Sequence, residues 1–282
     1  MSYRKKHVKN KISRIKPRKS IFKRPWFWVL ILILIIICTA FYFFLFYSGL
    51  QASNIVISGN EKVKTQDLRE LVLTNINTGL INIWQIKITS RSIFLVDTDK
   101  LNKEILEKFP VIEKIKIDKN LPQTLILGVV ERKPLGVYCN NQEQCFLIDQ
   151  NGIIFEPVYA APEGATIVRQ ASDNNQVFTG EEAVAQNIIT AISKIQKTLK
   201  DSFQISVTDA LISSPLRLNI KTSESWQIYF DLSPDSDINL QLTKLSLLLS
   251  GEIEPDSRKN LRYINLIPKD RAIICDNNTC GG

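Results

Sequence analysis

A nucleophile needs a base within reach, and this chain has one histidine, His7, set in a lysine-rich N-terminal tail. No Ser-His or Cys-His couple and no histidine-based metal site can be assembled beyond that tail. The sequence also lacks a glycine-rich phosphate loop, a CxxC redox motif and a helix carrying paired metal ligands. Asp97 with Asp99, and Asp235 with Asp237, read as helix starts favoured by the positive end of the helix dipole. Carboxylates of a glycosidase come from distant positions and leave no local signature, so they stay open as an alternative. These residues point to a protein that is not an enzyme and imply no cofactor.

Cysteine is the other reactive type. Cys38 falls in a long apolar run, whereas Cys139 with Cys145 and Cys275 with Cys280 form two tight pairs. In an oxidising compartment such pairs read as local disulfides, and in "YCNNQEQCF" the two cysteines would face each other at the base of a hairpin loop. A four-cysteine zinc site is the rival reading, although spacings of five and four intervening residues suit it poorly; reduced thiols are a third. A last pair, Glu131 and Arg132, ends the apolar strand "TLILGVV" just before Pro134. Proline cannot donate to a ladder and marks a boundary, so Glu131, Arg132 and Pro134 are expected to form an inter-domain hinge.

The elements that position these residues begin at a membrane. Residues 1–25 hold eleven Lys and Arg and no acid, leaving 25 basic against 28 acidic residues in the rest of the chain. "WFWVLILILIIICTAFYFFLFY" follows, 22 residues that give roughly 33 Å of helix, enough to cross a bilayer. Trp26 and Trp28 at one end and Tyr42 and Tyr47 at the other suit the two interfaces, and Phe and Tyr stand where a signal peptide would have small residues. The basic flank predicts a cytoplasmic N-terminus with everything after residue 48 across the membrane. The tail can also attract anionic lipid; it lacks the interleaved aromatics that would favour nucleic acid.

Beyond the span, "NIVISGN" reads as a strand, Thr65 as the cap of a helix reaching Asn75, and Leu101, Ile105, Leu106 and Phe109 as the stripe of a second helix stopped by Pro110. "VIEKIKI" and "TLILGVVE" then form a hairpin around "DKNLPQ". Thr74 to Ser92, with Ile81, Ile83, Ile86 and Ile88, reads as an insertion that packs on the module or touches lipid or a partner. After Pro134, "LGVYC", "CFLID" and "GIIFE" are short strands and "VYAAPEGA" is a loop. Thr179 with Glu182 predicts a capping box for a helix carrying Val184, Ile188, Ile192, Ile195 and Leu199. "LRLNI" and "WQIYFDL" are strands, "DINLQLTKLSLLLSG" is a helix, and "LRYINLIPKDRAIIC" is a closing hairpin.

Several of these stretches, namely the tail plus span, "IVISGNEKVKTQDL", "LEKFPVIEKIKIDKNLPQTLILGVVERKPLGVY" and "LIDQNGIIF", resemble the FtsQ/DivIB family of bacterial cell-division proteins. Weaker echoes are "SWQIYFDL" and "LRYINLIPKDRAII"; the last lacks the acid and the arginine of the family's closing strand. The resemblance implies an α+β single-pass membrane protein. Its expected divisions are a tail (1–25), a span (26–48), an extracytoplasmic POTRA module of strand-helix-helix-strand-strand order (49–133), an α+β domain with a mixed sheet ending in an edge hairpin (134–275) and a C-terminal tail (276–282). It further implies a scaffold at the division septum that recruits FtsB/DivIC-type and FtsL-type single-pass coiled-coil proteins and is linked indirectly to the septal wall synthase complex. An exposed edge strand is a template for an added strand, so Tyr263, Asn265, Ile267, Arg271, Ile273 and Ile274 are the expected partner-binding residues. The alternative is a membrane-anchored POTRA chaperone or a secretion or assembly component, which would normally repeat the module.

Overall fold

The computed structural model describes residues 24–83, 86–171, 177–277 and 280. Most of the basic tail, with His7, lies outside them. Helix α1 (Pro25–Phe46) carries apolar side chains on every side and leaves nearly all of them exposed. It is one helix long and apolar enough to cross a membrane.

The chain leaves α1 without a slack linker. Tyr47, Leu50, Gln51, Ala52 and Ser53 each donate a backbone hydrogen bond, to Phe43, Tyr47, Ser48, Arg91 and Gln123 respectively. A small mixed sheet follows, made of β1 (Asn54–Ser58), β4 (Ile112–Asn120) and β5 (Thr124–Glu131) in the order β1-β5-β4, with β1 parallel and β4 antiparallel to β5. The alternation in β5 buries Leu125, Leu127 and Val129 on one face. There they meet Leu68 and Val72 from α2 (Thr65–Asn75) and Leu101 and Ile105 from α3 (Thr98–Lys108), the stripes spaced for that purpose. Asp97 caps α3 by accepting from the amides of Asp99 and Lys100. Thr65 does not cap α2: it is the first helical residue, and its hydroxyl accepts instead from Asn60 Nδ2 at 2.9 Å. Between the helices, where an insertion was expected, two strands form a sheet of their own: β2 (Thr78–Ile83) and β3 (Ile86–Ser90), antiparallel.

Residues after Pro134 build a nine-stranded sheet. In chain order its strands are β6 (Pro134–Cys139), β7 (Cys145–Asp149), β8 (Ile154–Val158), β9 (Ile167–Gln170), β10 (Val207–Ser214), β11 (Arg217–Thr222), β12 (Gln227–Asp231), β13 (Leu261–Asn265) and β14 (Ile273–Asp276). In space they run β14-β13-β12-β11-β10-β9-β6-β7-β8. Parallel neighbours need a long return, and two of these returns are helices: α4 (Gln186–Phe203) between β9 and β10, and α5 (Ile238–Leu247) between β12 and β13. Both helices pack on one face, around Trp226, Phe230, Ile192, Ile195 and Leu245. β9 and β10 were not anticipated from the sequence. Nor does Thr179 start α4, which begins seven residues later after an uncapped Ala185. Val184 is buried in the core ahead of the helix.

Val111 packs against both the small-sheet core and a second, smaller cluster on the large sheet formed by Val137, Cys139, Leu147 and Phe155. The two sheets therefore share apolar contact.

Candidate interaction edge

Glu131 and Arg132 diverge at the junction. The Glu131 carboxylate accepts from the backbone amides of Glu61, Lys62 and Val63 at 2.9–3.0 Å, closing the turn after β1. Burial pushes this carboxyl up, but the three amides and the Lys62 charge together hold it below its ordinary value. Arg132 turns the other way: its Nε donates to Pro110 O, its amide to Val111 O, and its Nη1 to Asp149 Oδ2 in the large sheet. Lys62 adds a more exposed ion pair to Glu156 at 2.6 Å. The pair thus lies between the two sheets as a tied joint, beside a cavity of about 200 Å³ that Glu131 and Asp149 help to line.

A cavity of about 420 Å³ lies between α4 and the loop before β9, lined by Lys197, Lys200, Asp201, Gln196 and Ser206 among others. It is open and polar, and Asp201 is its one carboxylate. Among the described residues no group of three His, Cys, Asp or Glu is placed to hold a metal. The structure bonds Cys139 to Cys145, which stand opposite each other in the β6–β7 register, and Cys275 to Cys280.

What the fold does offer is strand edges, and it treats them unequally. On β1 the outer carbonyl of Ile55 accepts from Arg69 of α2 at 3.2 Å. On β4 the carbonyl of Ile115 accepts from Asn102 of α3 at 3.3 Å, and lysines alternate along the same strand. β8 is overlaid by the segment before α4, with Gly180 and Glu181 bonding to both backbone groups of Ile154. On β14, among the described residues, no group outside β13 bonds to Ile273 or Ile274. Side-chain plugs and overlaid segments are the usual protection of sheet edges; among the described residues none is seen at Ile273 or Ile274, whereas at the end of β14 the Asp276 carbonyl accepts from the Cys280 amide.

The strand behind that edge is firmly held. Ile264 and Leu266 of the β13 segment are buried, while Tyr263, Asn265 and Ile267 keep partial exposure. Tyr263 lies beside Tyr229 with ring centroids 5.2 Å apart, and the Arg217 guanidinium stands 4.8 Å over Tyr229. Asn265 Oδ1 accepts from the Ile267 amide, which bends the chain out of β13. From α5, Lys244 Nζ donates to the carbonyls of Pro268 and Lys269 and so anchors the loop between the two strands. Arg262 reaches the carbonyl of Cys280 at 3.3 Å. One expectation needs correcting: Ile274 stands opposite Ile264 and packs on the core side, because antiparallel partners share a face. Ile273 is exposed, and so is Arg271 in the loop before it. Lys244 was missed from sequence, since nothing in a lone helix lysine signals a loop 24 residues away.

Comparison with known proteins agrees with this architecture. Residues 80–132, from β2 to the end of β5, match the family described as POTRA domain, FtsQ-type. The chain is also similar to the cell division protein FtsQ of Streptomyces bingchenggensis (strain BCW-1), 21% identical over 163 residues. That match spans a little over half of each protein, 57% of this chain and 56% of the relative. A single helix apolar enough to cross a membrane, a stretch matching the FtsQ-type POTRA domain joined by a tied joint to a large mixed sheet, and this relative together make the chain similar to FtsQ-type cell-division proteins.

Proposed function

We propose that the protein is a non-catalytic scaffold of the cell-division machinery, held in the plasma membrane by α1 with its N-terminus in the cytoplasm. In this reading, residues 49–133 and 134–275 are the two extracytoplasmic domains. β14 receives an added strand from a single-pass coiled-coil division protein of the FtsB/DivIC or FtsL type, and this assembly is linked at the septum to the wall synthase complex. The observation that carries the reading is the inequality of the edges of the two larger sheets: three of those four bear plugs or overlaid segments, and among the described residues nothing outside β13 bonds to Ile273 or Ile274 on the fourth. Main-chain hydrogen bonds at such an edge supply affinity, and alternate side chains supply selectivity.

The test is photocrosslinking in living cells from single positions between Tyr263 and Cys275, with mass spectrometry of the captured protein. Capture of a small single-pass division protein with every-second-residue periodicity is the expected result. Capture from the POTRA module alone, with none along β14, would sink the assignment of the edge.

A further inference from the structure

The β2–β3 ribbon belongs to neither larger sheet. Its register sets Ile81 opposite Ile88, Asn82 opposite Lys87 and Ile83 opposite Ile86. Because positions alternate across a strand, those four isoleucines occupy one face of the ribbon and Asn82 with Lys87 the other. A two-stranded ribbon is marginal in water unless something covers its apolar face.

The position of the ribbon's base says what that cover is. At the end of β3, Ser90 Oγ donates to the carbonyl of Leu45 at 2.6 Å, and two residues on Ser92 Oγ donates to that of Phe44 at 3.2 Å. These are among the carbonyls that the last turn of α1 leaves without a helical partner. Phe94 stacks on Phe44 with centroids 4.5 Å apart, and Ile93 donates its amide to Leu50. The ribbon is therefore rooted on the turn of α1 that meets the bilayer surface. From Leu71 to Val96 the sequence has no acid but carries Lys87 and Arg91, a balance suited to anionic headgroups. Open strand edges are not tolerated in hydrocarbon, which confines such a ribbon to the interface.

We propose that β2–β3 is a membrane-surface ribbon, lying on the bilayer where α1 emerges with its isoleucine face toward the acyl boundary. This requires α1 to span the membrane and does not depend on the partner edge.

The test uses the full chain with Cys38→Ser, reconstituted in phosphatidylcholine/phosphatidylglycerol vesicles and labelled with an environment-sensitive fluorophore at Ile83→Cys, Ile86→Cys, Asn82→Cys or Lys119→Cys. Doxyl lipids should quench the labels at 83 and 86 about threefold more than that at 82, with aqueous iodide showing the reverse order. Iodide quenching at 83 and 86 equal to that at 119 would overturn the proposal, and so would shielding from both quenchers, which would mean a protein cover. Should the labelled variants misfold, lipid-borne diazirine photolabelling of the unmodified protein decides: adducts within residues 78–90 support the ribbon's placement, and adducts confined to α1 refute it.

Discussion

Arg132 donates to Asp149 at 2.5 Å across the junction of the two sheets, with the side chains only 11% and 2% exposed. Asp149 also accepts from the amides of Asn151 and Ile153, so one carboxylate serves both the joint and the turn after β7. Removing one member leaves the other buried without its counter-charge. Arg132→Met is expected to cost about 3–5 kcal/mol, with Arg132→Met/Asp149→Leu recovering part of that loss. Denaturant unfolding of the detergent-solubilised protein measures both. A double variant no better than the single one would show that the interaction is not specific to the ion pair.

Glu131 gives the same junction a pH dependence. Its folded-state carboxyl sits below the ordinary 4.5. The stability it contributes is therefore complete above about that pH and is lost as pH falls through the lower folded value. Glu131→Gln should lower stability near neutrality by about 1 kcal/mol and flatten the acid limb of the stability profile. Asp209 opposes this: burial raises it above 3.8 despite Arg169 and Lys221. The native state thus gains protons before the unfolded one does, and Asp209→Asn should steepen the acid limb. Unfolding midpoints measured from pH 7 down to acid test both signs.

Two glycines with left-handed backbones separate close packing from strain alone. At Gly152, φ +79, a Cβ would stand 1.8 Å from the carbonyl of Val184; at Gly164, φ +76, it would meet nothing within 4 Å. Gly164→Ala should cost about 1 kcal/mol, the penalty of the conformation. Gly152→Ala must also displace the segment leading into α4, and it should leave no soluble folded protein. Thermal unfolding and expression yield distinguish the two.

Lys244 should matter to the edge more than to the core. Lys244→Met removes the donor to the β13–β14 loop while keeping the stem over the sheet. Crosslinking yield from Ile273 should fall several-fold while the thermal midpoint moves by only a few degrees. Unchanged capture would show that the loop holds its shape without this anchor.

Where period and punctuation coincided, sequence was enough. β4 and β5 alternate around a short turn, and Asp97 and Asp237 cap helices from the expected positions. β10 escaped notice because Asp209 and two serines dilute its pattern, and β9 because four residues carry almost none. Thr179 and Glu182 have the spacing of a capping box, yet Gly180 and Glu181 bond to Ile154 of β8 and hold the segment out of helix. Tertiary pairing there overrode a local signal. The bare edge itself was foreseen as a closing hairpin; the plugs on its rivals, Arg69 and Asn102, are contacts between elements that no local pattern encodes.

The way α1 is capped by Ser90 and Ser92 also fixes a height. With residues 47–53 bonded rather than slack, and the sheets joined through Arg132 and Val111, the proposed placement of α1 in the bilayer would make the molecule a ruler standing on it. The partner proposed above, anchored in the same membrane, would then have to present its binding segment at one altitude. Lengthening that partner's stalk by one helical turn, about 5 Å, would carry the segment past a β14 that spans only four residues.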